Sequence, residues 1–90
     1  MNLDRLIDYF SLTGDQYERL SRQHLLILCY LMEFGSISPM EAFSDLGITK
    51  LATRISEMRD IGVRFDQEYE YKQNRFGDNV HYMRYRKAAA

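Results

Sequence analysis

Apolar residues in this chain recur at two different periods, and the change falls near Gly62. Leu3, Leu6, Ile7 and Phe10 repeat at helical spacing. Leu25 through Met32 is apolar nearly all round, which marks a helix buried on more than one side. Ile48, Leu51, Ala52, Ile55 and Met58 fall on one helical stripe and are expected to face a core. Beyond Gly62 the pattern alternates. Val63, Phe65, Tyr69 and Tyr71 interleave with Arg64, Asp66, Glu68, Glu70 and Lys72, as in a strand with one buried and one wet face.

Capping residues divide the helical half. Asn2 is placed to cap a helix over 3–10, and Thr13-Gly14-Asp15 ends it. The segment 16–20 reads equally as helix or loop. Ser21 caps a helix running to Glu33 or Phe34, with Gly35 at its end. Gly35-Ser36-Ile37 is an extended link suited to one short strand. Ser38 caps the next helix, Pro39 occupies its first position and Glu41 completes a capping box. Gly47 ends that helix, Thr49 is expected to cap the following one, and Gly62 stops it. A short helix, a glycine turn and a longer helix form a helix-turn-helix.

In the alternating half, Gln73-Asn74-Arg75-Phe76-Gly77-Asp78-Asn79 is rich in turn formers. Val80 to Arg86 returns to strand composition, so the two runs predict a hairpin. Met83 and Tyr85 are assigned inward, and Tyr82, Arg84 and Arg86 outward. Two strands are marginal alone in water, so the hairpin must pack on the helices. The expected fold is α+β and mainly helical: a winged helix-turn-helix, with a three-helix core, a C-terminal β-hairpin wing and an extra N-terminal helix. Residues 1–20 are assigned to a helical extension and 21–87 to the winged domain. Residues 88–90 are a tail resembling a cloning scar and are set aside from fold reasoning.

The charge distribution adds to this picture more than the net charge of −1 does. The N-terminal segment is acidic through Asp4, Asp8, Asp15 and Glu18. Lys72, Arg75, Arg84, Arg86 and Lys87 make the C-terminal segment basic, against Asp78 alone. One face can therefore carry the positive potential that phosphates require. Cys29 lies in the apolar run and is read as a buried, inert thiol of a reduced, cytoplasmic compartment. His24 and His81 do not have metal-ligand spacing, and no nucleophile–histidine pairing or glycine-rich phosphate loop points to an enzyme or a cofactor. Neither a membrane span nor a secretory signal pattern is apparent.

On the second helix of the motif, Lys50, Thr53, Arg54 and Glu57 lie opposite the apolar stripe, with donors suited to phosphates and base edges. Thr49 and Lys50 sit at its N-terminus, which favours a phosphate. Arg54 is assigned either to DNA or to a salt bridge with Glu41 or Asp45. Arg75, Arg84 and Arg86 are assigned to the wing's contact with the backbone or minor groove, or to a merely soluble hairpin. Arg59 is read as structural and Glu57 as a solvated charge. Phe76, at the wing tip, is either folded back or presented as a contact.

Ser36-Ile37-Ser38-Pro39-Met40-Glu41-Ala42 and Leu46-Gly47-Ile48-Thr49-Lys50-Leu51-Ala52-Thr53-Arg54-Ile55-Ser56-Glu57-Met58-Arg59-Asp60-Ile61-Gly62 resemble the small winged helix-turn-helix domains of bacteriophages and prophages. The resemblance spans about 21–87 and is tightest over 36–62. Asp60 departs from it, standing where a basic residue is common, and the first wing strand is acidic. The resemblance implies a duplex-DNA-binding protein of a bacterial host's cytoplasm, acting in transcription or phage-DNA regulation. A homodimer is expected on a separate ground, because one small reading head gives limited specificity. The alternative is a winged-helix module that binds a host or phage protein instead of DNA.

Overall fold

Helix boundaries fall where the cap chemistry sets them. The computed structural model describes residues 3–89; Asn2, the expected first cap, and Ala90 lie outside the described residues. Five helices, α1 (Leu3–Phe10), α2 (Gly14–Glu18), α3 (Arg22–Phe34), α4 (Pro39–Leu46) and α5 (Leu51–Ile61), precede strands β1 (Phe65–Gln73) and β2 (Asn79–Lys87). Thr13 and Gln16 form a capping box that makes part of the ambiguous 16–20 segment helical. Ser38 and Glu41 form the expected box on α4. In α3 the reciprocal partner of Ser21 is a histidine: His24 Nδ1 accepts from the Ser21 N–H at 3.0 Å.

The start of α5 differs from expectation. Its N-cap is Lys50, with no side-chain cap bond, rather than Thr49. Ile48 is buried against the core and its N–H reaches back to Ala42 O at 3.0 Å. That docking holds Thr49 in the turn, one residue too early to cap. The first α5 bond closes from Arg54 N–H to Lys50 O. On the same helix Ile48, Leu51, Ile55 and Met58 are buried as the stripe predicts, but Ala52 is exposed. Four positions suffice to fill the contact, and Ala52 falls on its rim.

The core is built around α3, which packs on α1, α4 and α5. Ile27, Leu28 and Leu31 on α3 are buried beside Leu6, Ile37, Ile55 and Met58. Such side chains each contribute about 1.5–3 kcal/mol when fully buried. Leu6 and Leu12 place the N-terminal extension in the same cluster. Gln16 Nε2 also donates to Ile61 O at 3.4 Å, pinning α2 to the end of α5. Gly62 closes α5 at φ 109°, and a Cβ there would stand 2.6 Å from that amide nitrogen. The backbone conformation is what calls for glycine, since the end of the Gln16 side chain could swing away from a Cβ.

β1 and β2 pair antiparallel from Phe65 opposite Lys87 to Gln73 opposite Asn79. Ile37 forms a single-residue bridge to the far edge of β2, exchanging both backbone hydrogen bonds with Tyr85 at 2.9 Å. The sheet itself has two strands. Phe65 and Tyr85 are buried and Met83 half-buried at the base. Tyr69 and Tyr71, expected inward, are exposed, because the hairpin runs out past the helices and nothing covers that face. The tail also departs from expectation: Ala88 N–H donates to Arg64 O and Ala89 N–H to Asp66 Oδ2, extending the β1 pairing.

Candidate nucleic-acid interface

The N-termini of α3 and α5 converge on one open cleft of about 380 Å³, lined by Ser21, Arg22, Gln23, Thr49, Lys50 and Arg54. Each helix brings the partial positive charge of its first turn. In α3 the His24 N–H is taken by Ser21 Oγ at 3.3 Å. In α5 no side chain caps the first turn, so its N–H groups face outward without a side-chain acceptor. Arg22, Thr49, Lys50 and Thr53 are exposed. Neither Arg22 nor Lys50 has an ion-pair partner among the described residues. The cleft therefore offers exposed cations and backbone donors to an anion.

Behind it lies a fixed polar chain. His24 accepts at Nδ1 from the Ser21 backbone, so its proton sits on Nε2, which donates to Glu57 Oε1 at 2.9 Å. Arg54 Nη1 pairs with the same oxygen at 3.1 Å. The partner of Arg54 is thus Glu57, one turn along its own helix, and not Glu41 or Asp45. Glu57 is correspondingly engaged rather than freely solvated. Arg54 Nε is buried with no hydrogen-bond partner. The guanidinium is aimed by Glu57 while still lining the cleft.

The wing cations divide into two groups. Arg84, expected outward, is only 16% exposed and is enclosed by acceptors. It pairs with Glu70 on β1, donates to Glu41 Oε1 at 2.8 Å and to Ser36 Oγ at 3.0 Å. Glu41 Oε1 meanwhile keeps its capping bond from the Ser38 N–H at 2.9 Å. Arg84 thereby ties the hairpin to the N-terminus of α4. These carboxylates hold its guanidinium above the ordinary range, and its hydrogen bond draws the Glu70 carboxyl below the usual 4.5. Arg86 pairs with Glu68. Arg75, at the tip, is exposed and has no ion-pair partner among the described residues.

Other polar groups serve the scaffold. Arg59 Nη2 donates to Gln67 Oε1 at 2.7 Å and to Phe65 O at 3.4 Å, bracing β1 against α5. Tyr30 donates to Asp45 at 2.7 Å, and that bond with burial pushes its phenol up to about 12. Cys29 is half-buried, and burial raises its thiol. Of the residues singled out from sequence, Thr49, Lys50, Thr53 and Arg54 share the N-terminal half of α5. Arg75 stands apart at the tip, and Arg84 and Arg86 are held in ion pairs at the wing's base. Arg22 and Gln23 were missed. The available signal was their position directly after the cap residue Ser21, which puts them on the first turn of a second helix.

No group of side chains suited to a metal ion occurs among the described residues, and no helix there is long and apolar enough to cross a membrane. Comparison with known proteins agrees with the architecture: a family model described as a winged helix-turn-helix domain matches residues 22–86. No curated protein and no solved structure gives a significant match. The match covers most of the chain, from the first turn of α3 to the end of the wing, and so the chain belongs to the winged helix-turn-helix domain family.

Proposed function

We propose that this protein binds duplex DNA, with α5 in the major groove, a phosphate in the cleft between α3 and α5, and the wing on the adjacent backbone. The observation that carries this reading is the cleft itself, where Arg22, Lys50 and Arg54 meet two helix N-termini. Thr49, Lys50, Thr53 and Arg54 would make the α5 contacts, and Arg75 the tip contact. Arg84 and Arg86 would contribute only through the wing's shape. The sequence resemblance supports a phage or prophage setting in a bacterial cytoplasm, with control of transcription or of phage DNA as the role.

Binding should weaken steeply with salt. Arg22→Ala and Lys50→Ala should each lower affinity across all sequences and reduce the slope of log K against log salt by about 1. Titration of a fluorescent duplex at several salt concentrations checks this. Binding that is absent at low salt, or indifferent to both substitutions, sinks the reading.

A second reading, a protein-binding module, has its own observation. Met40 and Phe43 lie one turn apart on α4 and are 70% and 58% exposed. Apolar side chains so placed suit a protein partner or a second copy of the chain.

A further inference from the structure

The wing tip is built without its most apolar residue. Asn74 N–H donates to Asp78 O at 2.9 Å and Gly77 N–H to Asn74 O at 3.0 Å. The Asn74 side-chain oxygen accepts from the N–H groups of Phe76 and Asp78 at 2.9 and 3.0 Å. Gly77 supplies the left-handed residue, at φ 83°. The tip's backbone is thus fixed by its own hydrogen bonds. The Phe76 ring takes no part: it is 88% exposed and meets no other aromatic ring among the described residues. A rigid turn presents a bare phenyl group at the far end of the molecule.

Its surroundings indicate what would receive it. Gln73, Arg75 and Asn79 are exposed beside it, the residue types that read minor-groove acceptors. Lys72 and Arg75 have no ion-pair partners among the described residues, whereas Glu68 is paired with Arg86, and Glu70 shares Arg84 with Glu41. Beyond those pairs the outer wing carries Lys72 and Arg75 against Asp78, an excess of one positive charge. Strands of nine residues at about 3.3 Å each carry the tip roughly 25 Å from the base. The neighbouring minor groove lies about half a helical turn, roughly 17 Å, from the major groove that α5 would occupy.

We propose that Phe76 is a wedge: the tip enters the minor groove of the bound duplex and the ring slides between two base pairs, unstacking them and bending the DNA. This rests on the DNA-binding reading above. An apolar ring in the groove gains contact with the base faces it separates, and the bend brings more phosphate within reach of Lys72 and Arg75.

The test uses the full chain and a duplex selected from a random pool for binding. End-to-end energy transfer reads the bend, and 2-aminopurine placed successively along the site reads unstacking. The unaltered chain should bend the duplex and brighten the probe at one step. Phe76→Ala should abolish the brightening, relax the bend, weaken affinity about tenfold and make the salt slope shallower, because the phosphate contacts that the bend gives Lys72 and Arg75 are lost with it. Phe76→Leu, still an apolar wedge, should restore most of the bend. Salt-dependent binding with a straight duplex, or brightening that survives Phe76→Ala, overturns the wedge and leaves the DNA reading standing. Loss of affinity in Phe76→Ala with no probe signal in the unaltered chain also overturns it. Absence of any salt-dependent duplex binding removes both.

Discussion

The base and the tip of the hairpin are written in one alternating pattern, yet they differ in almost every physical respect. At the base, Phe65 and Tyr85 are buried, Ile37 is bridged to Tyr85 by two backbone hydrogen bonds, and Arg84 is enclosed by Glu41, Glu70 and Ser36. Further out, Tyr69 and Tyr71 occupy the same face and are exposed, and Lys72 and Arg75 have no ion-pair partner among the described residues. Alternation specifies a strand, but burial of one face needs something packed against it. The helices cover only the first few residues of β1 and the last few of β2. What the base uses to hold the fold, the tip leaves open for a partner.

The sharpest test of that contrast is truncation of an inward aromatic at the base. Tyr85→Ala removes a ring that is 6% exposed while leaving its backbone bonds to Ile37. Loss of a buried aromatic costs about 3–5 kcal/mol. In a domain of this size that is a large share of the total stability. Urea denaturation should show a much lower midpoint, with a largely unfolded population at physiological temperature. A loss below about 1 kcal/mol would mean that the base is not packed as described.

A smaller effect is expected at the ion cluster. Arg84→Met keeps the aliphatic stem and removes the charge, leaving Glu41 beside the α4 cap without its guanidinium. Hydrogen bonds to charged groups typically contribute about 1.5–3 kcal/mol, and partial exposure of Glu41 and Glu70 places the expected loss near the lower end. The sign of the pH dependence follows from Glu70, whose carboxyl lies below 4.5 in the fold because Arg84 holds it ionised. A depressed carboxyl contributes stability above its unfolded value and loses it as pH falls through the folded one. The gap between the unaltered chain and Arg84→Met should therefore be constant near neutral pH and narrow below about 4.5. The salt slope of duplex binding should not change, because Arg84 is not at the proposed interface.

The contrast also explains what could be read from the residues alone. Helix limits at Ser21, Gly35, Ser38, Gly47 and Gly62 were legible because caps act locally. The helix-turn-helix, the hairpin and the pairing of Ile37 follow from that spacing and from the change of period at Gly62. The misreadings all concern which neighbour a side chain finds. Thr49 looked like a cap until Ile48 docked in the core. Arg84 looked outward because strand periodicity names a face but not the α4 carboxylate that reaches round to it. The cleft was half legible: its α5 side was visible as Lys50 and Arg54, but Arg22 becomes its neighbour only when two distant helix starts are brought together.

The smallest predicted effect tests the tip. Tyr71 is 74% exposed, and the one aromatic ring it meets among the described residues is His81, at 5.9 Å between centroids. Tyr71→Thr keeps a residue that favours strands, so the intrinsic cost of the change is low. An exposed substitution of this kind should shift stability by less than about 0.5 kcal/mol. Denaturation run at several protein concentrations distinguishes the outcomes. If the loss exceeds about 1 kcal/mol and grows with concentration, Tyr71 is covered in solution by a second copy of the chain, since only association makes stability depend on concentration. If the loss is small and flat, the outer wing is free in the monomer, as a surface reserved for a partner must be.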